Sequence, residues 1–352
     1  MLGPTPAPLS FPTMQSPELR IEATRGDLVE TVHPVTVAVV DAQGRLLAAS
    51  GDPTLETWWR SAAKPFQSLP LVLDGVAERF GLEEAELAFA CGSNSSEPEH
   101  VATALRFMRR VGITEEQLSC GVHTPLSPLV ARSVACGSAT MTPAWSNCAG
   151  KHIGMLALAR HHGWPLEGYQ AAGHPVQQRI LVEVSRWTGV ATEDLRLAVD
   201  GCTAVCFGLP ILAMARSYAR LGVSGDAAAQ RIALAMMTHP FLVAGTGRLC
   251  TELMAGLPGR ILAKVGADGI YCAAVPELRL GIALKVSDGD TRASGIALLE
   301  VLHQVTGRLA PIGQFVLPAT VIASHGPQPI RNTRQTVTGE LRAAGLLQFF
   351  DA

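Results

Sequence analysis

Ser61 and Lys64 stand three positions apart in the run Arg60-Ser61-Ala62-Ala63-Lys64-Pro65. On a helical turn that spacing puts a hydroxyl and an amine on one face, with Cβ atoms roughly 5–6 Å apart. A serine hydroxyl is a poor nucleophile until a neighbouring base takes its proton, and a lysine amine within reach can serve as that base. Pro65 fits a first turn and disfavours α geometry at Lys64, so the pair is expected at a helix start or a tight turn. Such a start leaves N–H groups free and points the positive end of the helix dipole at Ser61, where an oxyanion would form. Taken alone, Ser-x-x-Lys is a common spacing that mostly marks a solvated helix face.

Further polar groups recur downstream. Cys91-Gly92-Ser93-Asn94-Ser95-Ser96-Glu97-Pro98 leads into a helix carrying Val101, Leu105, Met108 and Val111. Ser95 or Ser96 is expected to cap that helix, with Pro98 in its first turn. The remaining hydroxyls and the Asn94 amide are a supply of hydrogen bonds for a substrate. Trp145-Ser146-Asn147-Cys148-Ala149-Gly150-Lys151-His152 sets several polar or metal-capable side chains before the apolar helix Ile153 to Ala159, which Asn147 would cap. Asp200-Gly201-Cys202 brings an acid and a thiol to the end of the short strand Leu195–Val199, and Lys264-x-Gly266 lies on another strand. His123 to Pro128 reads as a rigid turn with no demand for a catalytic role.

The frame these residues need is available. With 352 residues, 48% of them hydrophobic, the chain can bury a large core. A net charge of −2 offers no basic field for nucleic acid or anionic membranes. No window approaches the ~18 consecutive apolar residues of a membrane span, and the N-terminus lacks the pattern of a secretory signal. A cytoplasmic protein is expected, with no nucleic-acid or membrane partner. Its Pro-rich tail, 1–18, would precede one catalytic domain, 19–352. Eight scattered cysteines in such a chain are expected to be reduced. Val35–Val40 and Leu46–Ala48 read as a hairpin, and Val176–Trp187 and Asp226–Met237 as helices. Ile261–Gly266, Ile270–Val275 and Leu278–Val286 read as an antiparallel meander, covered by a helix from Arg292 to about Leu302.

In chain order, Ser61-x-x-Lys64, Ser93-x-Ser95 and Lys264-x-Gly266 resemble the serine β-lactamase layout of Ser-x-x-Lys, a serine loop and Lys-Thr-Gly. A closer resemblance, from about residue 19 onward, is to the L-asparaginase II family, the thermolabile Rhizobium-type enzymes. It rests on Arg60 to Pro65, Cys91-x-Ser93-x-Ser95, Asn147-Cys148-x-Gly150-Lys151-His152 and Asp200-Gly201-Cys202. Lys264-x-Gly266-Ala267-x-Gly269 and Gly281-Ile282-Ala283-Leu284-Lys285-x-x-Asp288-Gly289 complete it. The sequence departs from that pattern at Asn94, where histidine is expected, at Ser96 for glycine and at Val205 for proline.

The resemblance implies an α/β fold of α+β type, serine β-lactamase-like, with a mainly antiparallel sheet flanked by helices and a helical subdomain. It implies a homodimeric amidohydrolase that turns L-asparagine into aspartate and ammonia through a β-aspartyl ester. Two tandems, Ser61 with Lys64 and Ser93 with Lys264, would flank the carboxamide. Ser61 is the expected nucleophile because Lys64 is its neighbour in sequence, though the two serines can exchange roles. Arg60, Asn94, Ser95 and Asp200 are expected at the substrate, Asp200 either on its α-amino group or behind the metal ligands. A zinc ion would be held by Cys148, Lys151 and Cys202; without the resemblance, the two cysteines read as packed thiols. The competing functions are a glutaminase or β-lactam acylase of the Ser–Lys type, a catalytically idle zinc or amino-acid binding protein, and a cysteine hydrolase built on Cys148 and His152.

Overall fold

The structure, a computed structural model, describes residues 18–311 and 313–350. The expected Pro-rich tail lies outside the described residues, Glu18 excepted. The strands are β1 (Arg20–Arg25), β2 (Leu28–Asp41), β3 (Leu46–Ser50), β4 (Glu56–Trp58), β5 (Arg196–Val199) and β6 (Val205–Pro210). They continue with β7 (Leu262–Val265), β8 (Ile270–Val275), β9 (Leu280–Val286), β10 (Gln328–Arg331), β11 (Val337–Ala344) and β12 (Gln348–Phe349).

The large sheet runs in the order β10-β11-β1-β2-β9-β8-β7, with β3 paired to both β2 and β12. Every pairing in it is antiparallel. The expected hairpin is the β2–β3 pair, with Val39 opposite Ala48. β2 starts at Leu28, earlier than expected, because Leu28 to Pro34 pair with β1 instead. That half is largely exposed, so it carries no apolar alternation to betray a strand. The β7-β8-β9 meander is as the period-two pattern indicates.

Helices cover the sheet. The helix Ile211–Val223 packs on β2, β8 and β9. It comes so close that a Cβ on Gly281 would fall inside the backbone of Ala215 and Ala219, which is why β9 carries glycine there. The helix Thr291–Leu309, longer than expected, lies against β1, β8, β9 and β11. A helical layer forms around Glu84–Cys91, Pro98–Val111 and Ala149–His162, which pack on one another. Ala149–His162 is buried on every side as far as Ala159, whereas Pro98–Val111 turns Glu99 and Arg109 to solvent. Helices at Pro175–Thr188 and Ala227–Thr238 agree with their sequence patterns, and Asp226 caps the second through the N–H groups of Ala228 and Ala229.

Two expected caps differ. Glu97 is the N-cap of Pro98–Val111, in a reciprocal box with His100, while Ser95 and Ser96 bond to other backbone carbonyls. Cys148, not Asn147, precedes Ala149–His162. A second, three-stranded sheet, β4-β6-β5, contains the expected strand Leu195–Val199 as β5, while β4 and β6 have no counterpart in the sequence reading. No described helix is long and apolar enough to cross a membrane.

Candidate active site

The turn that carries Ser61 is built by packing behind it. Trp59 is fully buried, stacked on Phe66 with ring centroids 4.8 Å apart, and its backbone N–H donates to Phe207 O on β6 at 2.8 Å. Tyr218 closes the same cluster and donates to Ala62 O at 2.8 Å. Arg60 then takes a left-handed φ of 53°, costly for a residue with a side chain. It is held there by Asp200, which accepts from its Nε at 2.9 Å, and by a close ion pair with Asp268. The short 3-10 turn Arg60–Ala63 follows and runs directly into the helix Lys64–Ser68. Ser61 is half-buried and faces a cavity.

Lys64 is fully buried and turned away from Ser61. Its Nζ donates to Gly92 O at 2.6 Å, to Ser93 Oγ at 3.1 Å and to Asn147 O at 3.1 Å. Gly92 is itself tightly packed, since a Cβ there would stand 2.6 Å from Leu242 O. From the opposite side, Lys264 Nζ on β7 donates to the same Ser93 Oγ at 2.8 Å and to Val265 O at 2.8 Å. Ser93 thus sits between two buried amines, with its own N–H fixed on Val243 O at 2.7 Å. Burial, reinforced by the charge of Lys64, pulls the Lys264 amine down to about 7. A neutral lysine near neutral pH can accept the serine proton. Among the described residues no hydrogen bond joins Lys64 to Ser61; the sequence pairing is replaced by the Lys64–Ser93–Lys264 chain. Catalytic hydrogen bonds are commonly looser in an empty site than around substrate.

The expected substrate-binding residues divide. Asn94 is buried, its amide donating to Ser146 O at 2.9 Å and its oxygen accepting from Ser96 N at 2.9 Å. Both ends of that side chain are used to shape the loop, so it does not reach the cavity. Ser95 Oγ is likewise committed, to Ala244 O at 2.7 Å. Arg60 is committed to its two carboxylates. Asp200 also accepts from Gly201 N at 2.8 Å and holds its other oxygen 3.8 Å from Lys151 Nζ. It is therefore turned toward the lysine and cysteine cluster.

Two residues outside the expected site line the cavity with Ser61 and Ser93: Asn147, read from the sequence only as a helix cap and as part of the family motif, and Arg248. Asn147 offers its carbonyl to Lys64, and its N–H donates to His123 Nε2 at 2.8 Å. His123, read as part of an idle turn, thus braces the site. Arg248 has one side-chain hydrogen bond, to Ser95 Oγ at 3.3 Å, and no carboxylate partner among the described residues. It enters from Ala244-Gly245-Thr246-Gly247, where Gly245 at φ 121° lies against Ser95 and Glu97. Nothing in the spacing of that loop distinguishes a working arginine from a surface one.

Beside this chain stands the cysteine pair. Lys151 Nζ lies 3.0 Å from Cys202 Sγ. A hydrogen bond from Cys148 and the charge of Lys151 bring the Cys202 thiol down to about 5, while the same Cys148–Cys202 bond and burial push Cys148 up to about 12. Burial opposes the charge on Lys151, but Cys202, Cys148 and Asp200 outweigh it and raise the amine. Two sulfurs and an amine lie together here, the amine holding its proton. Among the described residues no group of three His, Cys, Asp or Glu side chains is placed to hold a metal ion.

Comparison with curated proteins gives no match. Among solved structures the chain is similar to Mglu in its native form, at 16% identity and a TM-score of 0.44, covering 80% of this chain and 66% of that one. It is similar to a probable glutaminase from Bacillus subtilis complexed with 6-diazo-5-oxo-L-norleucine, at 14% and 0.37, covering 76% and 83%. A β-lactamase from Mycobacterium bovis shows 12% and 0.34, covering 79% and 95%. Residues 21–343 match the L-asparaginase II family, and the chain belongs to that family of amidohydrolases.

Proposed function

We propose that the protein hydrolyses the side-chain carboxamide of L-asparagine through an ester on Ser61. The observation that carries this reading is the buried Lys64–Ser93–Lys264 chain opening beside Ser61 on one cavity. Ser93 is 4% exposed and already bonded by two amines, which suits a group that passes protons. Ser61 is the more open hydroxyl, free to meet a carbonyl. In the first step Ser61 Oγ bonds to the carboxamide carbon. Ser93 gives its proton to neutral Lys264 and takes one from the Lys64 ammonium, and the Lys64 amine so freed takes the Ser61 proton. Collapse breaks the C–N bond, and the relay returns its proton to the departing ammonia. Water then cleaves the ester by the same path.

Arg248 takes the substrate's α-carboxylate in this reading, as a guanidinium with spare donors should. Purified protein should release ammonia from L-asparagine, and Arg248→Gln should raise KM by about 10- to 100-fold with kcat little changed, the loss of a charge-assisted pair. Steady-state kinetics decides both: no ammonia from folded protein overturns the function, and an unchanged KM removes Arg248 from the substrate.

Zinc is part of the same proposal, with Cys148, Lys151 and Cys202 as ligands and Asp200 orienting Lys151. When bound, the ion would supply a fixed positive charge beside the substrate. Lys151 must surrender its proton to bind it, so loading releases protons. Elemental analysis should find about one zinc per chain and none in Cys202→Ala; equal zinc in both proteins would remove the site.

A further inference from the structure

The half-open cavity that holds Ser61 and Ser93 has a volume of about 830 Å³. That lies at the upper end of ordinary ligand pockets, roughly 300–1,000 Å³. L-Asparagine, a four-carbon amino acid, fills a small part of it. The cavity is also long. It touches β7 through Val265 and, on its far side, β1, β10 and β11 through Ala23, Ile330 and Leu341. β1 lies four places from β7 in the sheet order, with neighbouring strands ~4.8 Å apart.

The far side has its own character. Ile330, Leu341 and Pro329 give it an apolar floor, and Arg292 and His325 stand at its rim. Glutamate and aspartate are absent from the cavity lining among the described residues. His325 is bonded to Glu252 at 2.9 Å. Arg292 is engaged by Asp290 through Nε and Nη2, the latter at 2.7 Å, which leaves Nη1 without a protein partner. Its side chain is 74% exposed and open to a ligand. An apolar floor ending in a guanidinium matches an amino-acid residue with an aliphatic side chain and a free carboxylate.

We propose that the acyl site also takes β-aspartyl peptides, the departing residue seated on this floor with its carboxylate at Arg292. The inference rests on the reading of Ser61 as the acylated residue. Ser61 Oγ bonds to the β-carbonyl of the aspartyl group. The isopeptide C–N bond breaks, and the departing α-amine takes the proton held by the lysine relay in place of ammonia. Water hydrolyses the ester to aspartate, so atoms balance without a further reactant.

The test compares L-asparagine, β-aspartyl-leucine and β-aspartyl-leucinamide as substrates of the full chain. β-Aspartyl-leucine should be cleaved with a kcat/KM within about tenfold of asparagine. Arg292→Gln should raise KM for β-aspartyl-leucine by about tenfold and leave the leucinamide unmoved, the value of one charged hydrogen bond. Ser324→Trp, at an exposed position on the far wall, should cut β-aspartyl-leucine turnover by about tenfold or more while asparagine hydrolysis is retained. Asparagine turnover without any cleavage of β-aspartyl-leucine overturns this inference and leaves the proposed function standing. Variants that lower both substrates equally also overturn it. Failure on all substrates by folded protein overturns the reading of the site itself.

Discussion

Ser61→Ala should abolish asparagine hydrolysis, lowering kcat by about 10⁴- to 10⁶-fold, the scale on which loss of an activated nucleophile is felt. The protein should remain folded, because Ser61 is half-buried on a short turn and makes no side-chain hydrogen bond among the described residues. Substitutions of that kind move stability by about 0.5 kcal/mol or less. Ser93→Ala should act differently. It breaks the link between the two lysines and removes proton transfer rather than bond formation, a loss of about 10²- to 10⁴-fold. Kinetics alone does not tell a nucleophile from an essential relay, so a covalent label is the sharper measurement. A diazoketone analogue of L-asparagine should add one mass equivalent to the peptide carrying Ser61 in the parent and, more slowly, in Ser93→Ala. A label on Ser93 would reverse the assignment. That reading has its own support, since two amines polarise Ser93 directly.

Lys264 should give the enzyme its pH dependence. With its amine brought down to about 7 by burial and by the charge of Lys64, kcat/KM should rise through a single proton loss near pH 7. The same shift has a cost in stability. Below about pH 7 the lysine is protonated in the folded and the unfolded chain, and the penalty for burying the charge is fully present. Between about 7 and the ordinary lysine value of ~10.4 the unfolded chain binds more protons, so stability rises with pH. Above that range the penalty has gone. Lys264→Met keeps the length and removes the amine. It should lower kcat by about 10³-fold, and it should raise stability by on the order of a few kcal/mol at pH 6, with the gain shrinking toward pH 10. Urea midpoints of parent and variant across that range test the sign. A difference that stays flat with pH would show that Lys264 is not held neutral by its surroundings.

The legible parts of the chain are those where local pattern and final contact agree. Leu280–Val286 alternates strictly and is a strand, and the helices at Pro175–Thr188 and Ala227–Thr238 follow their apolar faces. Ser93 and Lys264 were readable as residue types on a loop and a strand, but their meeting at 2.8 Å spans 171 positions and rests on the family resemblance rather than on any local signal. The Ser61–Lys64 spacing was read as a direct pair. In the structure the turn before Lys64 is 3-10 and the lysine is drawn inward by carbonyls of Gly92 and Asn147, contacts that no spacing rule contains. Asn94 looked available because asparagine on a polar loop usually faces water; here the loop folds under itself and consumes both ends of the amide. Arg248 was invisible for the opposite reason. Its significance is the lack of a carboxylate partner, which becomes apparent only in three dimensions. β4 and β6 have no periodic signal, being three and six residues long, whereas the four-residue β5 is readable from its apolar run.

The pairing of β1 with β11 joins Arg20 to Ala344 and Ala23 to Leu341. On a ribosome the first strand therefore emerges long before the partner that covers its outer flank. β2 can protect one side once residues 28–34 have left the exit tunnel, but the other edge must wait for nearly the whole chain. Contacts so distant in sequence close slowly, because the loop entropy is lost before any pairing energy returns. The serine turn at residues 60–64 is made early, and Lys264 late, so a nascent chain cannot acquire its proton relay until most of translation is over. A chain halted before β11 presents an open strand edge, the feature through which unfinished sheets recruit one another.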